Sequence, residues 1–163
     1  MSTIEIVIGM MIFLIALSFL TDLLILLWKF NVLAQTTTQV ARISGIQGGV
    51  LSAAPPYWPG GNSNYVSISE MENIVREKFE TADLSIDEWS MEIGGRGTIG
   101  RDGLVASEAI DYKDTFQVVG TIDYQWLFTS HFIPFITLEH TITAKRPAMS
   151  EWRYNYSGTW EGE

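Results

Sequence analysis

The glycine-rich segment Gly95–Gly100 invites comparison with a nucleotide-binding loop, because it matches the pattern G-x-G-x-x-G letter for letter. A dinucleotide site needs that pattern between a strand and a helix N-terminus, where backbone amides face the phosphates. The residues that follow are broken again at Gly103 and carry no helical pattern. We therefore interpret these glycines as turn residues and predict no phosphate site.

The two histidines, His131 and His140, are the only imidazoles available for acid–base chemistry or metal binding. Glu139 directly precedes His140, but adjacent residues of a strand point to opposite faces of the sheet. No third ligand is in register, and the chain contains no cysteine for a thiolate site or a disulfide. Serine nucleophile motifs of the G-x-S-x-G type are also absent. We predict no catalytic residues, no metal, no cofactor and no enzymatic activity.

The charge balance is acidic, with 19 Asp and Glu against 10 Lys and Arg and a net charge of −9. No cluster of basic residues occurs, which argues against contact with nucleic acid or anionic lipid headgroups. Asn155 opens an Asn-Tyr-Ser sequon and is a candidate for N-glycosylation. Many carboxylates fall in predicted turns and on polar faces, where they are usually solvated, namely Asp83, Asp87, Glu88, Asp111 and Asp114.

Glu5 differs from these carboxylates because it heads a run with no other charge, Ile6–Thr21. An ionised carboxylate in hydrocarbon costs several kcal/mol. Two interpretations stay open. The side chain extends to the membrane interface, where the helix dipole favours negative charge. Alternatively it meets a positive partner, for which the free α-amino group of a neighbouring chain is the nearest candidate.

The element that carries Glu5 is predicted to be one helix from about residue 2 to about residue 45, since no Gly or Pro lies between Gly9 and Gly45. At 1.5 Å per residue it would be about 65 Å long, roughly twice the thickness of a bilayer core. Its apolar part continues past Asp22 to Trp28 and is long enough to cross a membrane. Its later part shows the stripe of an amphipathic helix, formed by Phe30, Leu33, Ala34, Thr37, Val40, Ala41 and Ser44.

The rest of the chain is predicted to form a small α+β head. We divide the chain into the helix at 1–46, a Gly/Pro-rich linker loop at 47–66 and a β-rich head at 67–163. Ser67 and Ser69 each precede a Glu by three residues, the capping-box pattern, which predicts a helix through Phe79.

Alternating patterns after that helix predict strands near 86–93, 103–109, 115–128 and 136–144. We expect an antiparallel sheet whose last two strands are adjacent and pack on the 69–79 helix. In the 115–128 strand we assign the side chains to two faces. One face holds Phe116, Val118 and Gly120, and the other holds Val119, Ile122, Tyr124 and Trp126.

The first residues, Met1–Met11, resemble the mature N-terminus of type IV pilins and pseudopilins, which have Glu at position 5 and a long helix after it. Further segments are similar to the TadE-like pilins of the tight-adherence type. These are Thr21–Asn31, Ala34–Gln35, Val40–Arg42, Val119–Trp126, Pro134, Ala144–Pro147 and Ser150–Glu151. The proline kink of many pilin helices is missing, because no proline occurs in the first fifty residues.

This resemblance implies a structural subunit of an extracellular type IV pilus-like filament. Its helix would lie in the cytoplasmic membrane as a single span and then in the filament core at the cell surface. The implied partners are copies of itself, a prepilin peptidase and the pilus assembly machinery. Met1 and Glu5 would be the assembly residues. No Lys or Arg precedes Lys29, so flanking charge orients the helix poorly. We expect either a removed basic leader or another means of setting the topology.

Two alternatives to this function stay open. One is a minor or priming pilin-like protein of a Tad-type secretion or conjugation apparatus. The other is a single-pass membrane protein whose extracytoplasmic head binds a ligand. A filament subunit should be abundant and polymeric, whereas an anchored binding domain should stay monomeric in detergent.

Overall fold

A computed structural model describes residues 3–56, 58–133 and 140–152 of the chain. These residues confirm the predicted α+β fold, a long N-terminal apolar helix followed by an antiparallel sheet and shorter helices. The helices are α1 (Thr3–Gln47), α2 (Ile68–Glu80) and α3 (Thr129–Phe132), with 3₁₀ turns at Gly61–Asn64 and Ile86–Glu88. The strands are β1 (Trp89–Ile93), β2 (Gly97–Gly100), β3 (Thr115–Tyr124) and β4 (His140–Met149).

The four described strands form one sheet in the order β2-β1-β3-β4, and every neighbouring pair is antiparallel. The prediction that the last two strands are adjacent is confirmed. Ile122 of β3 lies opposite Ile142 of β4, and Gly120 lies opposite Ala144. Strand β4 continues to Met149, five residues beyond its predicted end. The predicted start of that strand, 136–139, lies outside the described residues.

The second half of α1 covers β3 and β4, so our prediction that these strands pack on the 69–79 helix is wrong. Gly120 explains the arrangement, because it has no side chain to hold the helix away. A Cβ atom added there would lie 2.4 Å from Thr37 Oγ1 and 2.8 Å from Leu33 Cδ1. Both distances are far inside van der Waals contact. The absent side chain of Gly120 therefore makes room for α1 on the sheet.

Helix α2 lies instead beside α1 at the β1–β2 end of the core. Ser67 is its N-cap, and its hydroxyl accepts a hydrogen bond from the Glu70 amide at 3.4 Å. The ring of Phe79 packs edge-on against Trp89 of β1, with centroids 5.0 Å apart. Its buried residues are Ile68, Met71, Val75 and Phe79, which share one apolar face.

Two strand predictions are corrected by the structure. The predicted strand at 103–109 is reduced to a single bridge, between Val105 and Thr98. The strand that pairs back onto β1 is β2, which begins at Gly97, six residues before the predicted start and inside the glycine segment. Gly94 and Gly95 adopt positive φ angles of 64° and 76°, so β1 turns back at once. Strand β3 also ends at Tyr124 rather than at Phe128.

The face assignment in β3 is partly wrong. Ile122 and Tyr124 are buried on the same face as Val118 and Gly120. Strict alternation requires this, because residues two apart on a strand share a face. The inner face of β3 is therefore the even-numbered one, and it meets α1.

After α1, residues 48–56 and 58–66 contain the 3₁₀ turn Gly61–Asn64 and are attached to the head rather than free of it. Val50 is fully buried, and its carbonyl accepts a hydrogen bond from the Ser107 amide at 2.9 Å. The hydroxyl of Tyr65 accepts a hydrogen bond from the Leu51 amide at 2.8 Å. The loop thus contributes to the core beneath α2.

Candidate functional site

The first half of α1, Thr3–Leu20, leaves most of its side chains exposed. The exposed fractions reach 70% at Ile4 and 66% at Phe13. Soluble monomers rarely expose a contiguous apolar patch larger than a few hundred Å². By length and composition α1 can cross a membrane, which is consistent with a single-pass membrane anchor. We call Thr3–Leu20 the exposed half and Thr21–Gln47 the packed half of α1.

Glu5, the predicted assembly residue, lies in the first turn of the exposed half. Its carboxylate is therefore placed where the helix dipole favours a negative charge. The other two predicted site residues, Met1 and Asn155, lie outside the described residues. The structure thus places Glu5 on an apolar helix surface and leaves its assembly role a prediction.

Asp22 is a buried carboxylate to which our sequence analysis assigned no role, and it stands where the exposed half meets the head. Its side chain is fully buried, although it lies within the apolar run of α1. The Thr129 amide donates to Asp22 Oδ2 at 2.7 Å, and the Phe128 amide donates to Oδ1 at 3.1 Å. The carboxylate thereby caps the start of α3 and ties the loop after β3 to α1. A lone acidic residue in a long apolar run was the available signal.

Tyr124 strengthens the same junction from the end of β3. Its hydroxyl donates a hydrogen bond to the backbone carbonyl of Asp22 at 2.8 Å. Burial, together with the nearby Asp22 carboxylate, raises the pKa of Tyr124 to about 12. The phenol is therefore protonated and able to donate at neutral pH. The Tyr124 ring also packs edge-on against Trp126. The rings of Trp126 and Phe19 are stacked, with centroids 5.6 Å apart and an interplanar angle of 10°.

Small polar residues line the packed half of α1. Their hydroxyls bond back to the helix itself, as in the Thr37 to Leu33 carbonyl bond of 2.7 Å and the Ser44 to Val40 carbonyl bond of 2.6 Å. These groups are satisfied locally and need no partner on the sheet. The helix can therefore present small side chains to β3 and β4 without burying unpaired hydroxyls at these two positions.

The glycine segment that resembled a nucleotide loop forms the β1–β2 hairpin. Gly100 leads into a turn at Arg101, not into a helix. A Cβ at Gly100 would lie 2.6 Å from ring atoms of Trp89. The glycine at this position is therefore explained by close packing on a tryptophan, which supports our interpretation of the segment as a turn.

The two histidines do not converge on a common site. His131 Nδ1 lies 2.8 Å from the Leu127 carbonyl oxygen, and the His140 ring packs edge-on against Trp126. Glu139 lies outside the described residues. Within the described ranges, no three His, Cys, Asp or Glu side chains are grouped closely enough to hold a metal ion.

Three carboxylates of the head form a local cap or an ion pair. Glu88 accepts hydrogen bonds from the amide and the hydroxyl of Ser85 at 2.7 and 2.9 Å, forming a capping box. Glu108 pairs with Arg96 through exposed side chains, and Asp123 of β3 pairs with Arg101 through partly exposed ones. Pairs of this kind contribute little to stability.

Comparison of the chain with protein-family models, with curated proteins and with solved structures gives no match. Function is therefore inferred from the resemblance of the N-terminal residues to pilins and from the geometry of α1. In this geometry the exposed apolar half of α1 lies next to a head that is hydrogen-bonded to α1 at Asp22.

Proposed function

We propose that this protein is a structural subunit, a pilin, of an extracellular type IV pilus-like filament that polymerises through α1. The observation that supports the proposal most directly is the division of one 45-residue helix into an exposed half and a packed half. A head fixed to the packed half leaves the exposed half available on all sides. Copies of this half can then form a bundle with the heads outside.

The same surface suits both environments that such a subunit occupies. Before assembly, the side chains of Thr3–Leu20 are solvated by lipid, which is as apolar as they are. In a bundle, they contact other helices, and close packing rather than the hydrophobic effect drives association. The transfer from membrane to filament therefore requires no refolding of the helix.

Glu5 has a specific role in this proposal. In a bundle its carboxylate would lie at apolar depth and need a positive partner within hydrogen-bond reach. The processed α-amino group of Met1 on an adjoining copy is the partner that the resemblance implies. A pair of this kind sets the axial register between neighbouring helices. Buried ion pairs serve that purpose better than they serve stability.

The test compares Glu5→Ala and Glu5→Gln with the natural protein in cells that produce the filament. Glu5→Ala should enter the membrane at least as well, because the charge penalty disappears. It should nevertheless abolish or sharply reduce filaments, since an ammonium group buried without its partner costs about 3–5 kcal/mol. Glu5→Gln should give an intermediate yield. The measurements are the amount in the membrane fraction and the yield of sheared filaments, examined by electron microscopy.

Glu77→Ala is the matched control, since Glu77 is an exposed carboxylate on α2. Its filament yield should equal that of the natural protein. A normal yield from Glu5→Ala would mean that the side chain only extends to the membrane interface. If the natural protein forms no filaments and is monomeric in detergent, the anchored binding domain becomes the better description.

A further inference from the structure

A second exposed apolar surface lies beside α1, on the loop and short helix after β3. Leu127, Phe128 and Phe132 are 52%, 48% and 45% exposed. Three large apolar side chains within six residues are unusual on a water-facing loop. We call these three residues the foot. What covers the foot depends on its level along the exposed half of α1.

Two contacts fix the level of the foot along α1. The Thr129 amide is bonded to Asp22, two residues beyond the exposed half. The ring of Trp126, next to Leu127, is stacked on Phe19, which belongs to the exposed half. The foot is therefore level with the last turn of the exposed half.

The length of the exposed half then sets the depth of the foot in a bilayer. Thr3–Leu20 spans about 27 Å at 1.5 Å per residue, against about 30 Å for a hydrocarbon core. If this half crosses the core, its end at Leu20 lies at the boundary between hydrocarbon and headgroups. The foot lies at the same boundary.

The charges around the foot suit that location. No Asp, Glu, Lys or Arg occurs from Gln125 to Ile133, nor from Ile6 to Thr21 on α1. The charge at this level, Asp22, is buried and bonded to backbone amides. Tryptophan is enriched at membrane interfaces, and Trp126 lies at this level, stacked on Phe19.

We propose that the foot inserts into the headgroup boundary of the bilayer that holds α1, so that the subunit rests on the membrane through Leu127, Phe128 and Phe132. The head would then contact the bilayer at two points, through α1 and through the foot. Asp22 of α1 connects these two points by its hydrogen bonds to the Phe128 and Thr129 amides. This inference rests on α1 as a bilayer anchor and not on filament formation. It commits to lipid as the occupant of the foot.

The absence of natural cysteines makes a direct test possible. Single cysteines are introduced in the full chain at Leu127 or Phe132, labelled with a fluorophore sensitive to polarity, and reconstituted in phosphatidylcholine vesicles at low protein density. Leu104→Cys is the matched control, because Leu104 is 46% exposed on the hairpin side of the sheet. Phe13→Cys reports insertion of the exposed half itself.

Lipids carrying a nitroxide near the headgroup should quench the labels at positions 127 and 132 about twofold or more, with a shift of emission to shorter wavelength, as interfacial residues lie at headgroup level. The label at position 104 should be quenched by aqueous iodide and not by lipid. Water-like emission at either foot position would overturn the proposal, as would failure of deep nitroxides to quench position 13. A blue shift that appears only at high protein density, without lipid quenching, would identify a second copy as the occupant and also overturn it.

Discussion

The exposed and packed halves of α1 belong to one uninterrupted helix, yet their side chains obey different requirements. In the exposed half, large residues such as Phe13 and Leu17 point in every direction. In the packed half, the buried face combines the small residues Thr37, Ala41 and Ser44 with the larger Leu33 and Val40. The difference arises from what each half contacts. Lipid and other helices conform to large side chains, whereas the packed half must fit a fixed sheet surface, where Thr37 and Leu33 fill the space left by the missing side chain of Gly120.

The boundary between the exposed and packed halves falls next to Asp22 and not at the end of the apolar sequence. Leu24, Leu27 and Trp28 continue the apolar run and are still more than half exposed on the side away from the head. Contacts with the head nevertheless begin at this level, where Phe19 stacks on Trp126 and backbone amides hold the Asp22 carboxylate. The apolar outer face of residues 24–28 is thus available for contacts between copies beside the heads, in the filament that we propose.

Gly120→Val should have the largest effect on the packed half. The new side chain would meet Thr37 and Leu33 at distances that require α1 to move away from the sheet. Overpacking of this kind typically costs 1–3 kcal/mol, and we expect about 3 kcal/mol or more here. The free energy of unfolding of the head, measured with denaturant in detergent, checks this.

Gly9→Val is the control for that substitution in the exposed half. A Cβ at Gly9 meets nothing within 4 Å. The stability of the head should be unchanged, since Gly9 lies outside it. Equal stability of the Gly120 and Gly9 variants would refute the distinction between the two halves.

Asp22→Ala should have the next largest effect, at the junction of the halves. The amides of Phe128 and Thr129 would lose their acceptor, and an unsatisfied buried donor costs about 1–3 kcal/mol. We expect about 2 kcal/mol in total, because α3 can open locally and hydrate its amides. Hydrogen exchange at residues 127–132 should rise selectively, with protection of β1 and β3 retained.

Asp22→Asn keeps an acceptor oxygen and should lose less protection than the alanine variant. Asp111→Ala, at an exposed carboxylate, should leave exchange unchanged throughout. Unaltered exchange at residues 127–132 in Asp22→Ala would show that the carboxylate does not hold the loop.

Tyr124→Phe should have the smallest effect, about 1 kcal/mol at neutral pH, because it removes one buried hydrogen bond. Its pH dependence is more informative. The pKa of Tyr124 is raised from 10.0 to about 12 in the folded protein, so above pH 10 the unfolded chain loses this proton first. Stability contributed by the phenol is complete below pH 10 and is lost as the pH rises to about 12.

The measurement is the difference in unfolding free energy between the natural protein and Tyr124→Phe from pH 8 to about pH 12, the range set by the two pKa values. The difference should shrink as the pH rises, because only the natural protein has this phenol to lose. A constant difference over that range would mean that Tyr124 titrates at the same pH in both states.

Much of the candidate site could be predicted from local sequence patterns, but the junction between α1 and the head at Asp22 could not. The exposed half and Glu5 follow from composition, since a long apolar run with one leading carboxylate needs no knowledge of the head. Asp22 was visible as a charge in that run, but its partners were not. The two amides it binds lie 106 and 107 residues later in the chain, and no periodic pattern relates them.

The sequence by itself determined the extent of α1, the helix Ile68–Glu80 and the adjacency of β3 and β4. These depend on short-range properties, namely the absence of Gly and Pro, a serine cap and alternation of apolar residues. Only the tertiary structure decided which helix covers β3 and β4, and where the head begins on α1. That choice depends on a missing side chain at Gly120 meeting Thr37 and Leu33 of α1, and on a buried carboxylate meeting distant amides. Both are properties of surfaces brought together by folding, so neither is encoded in any one segment.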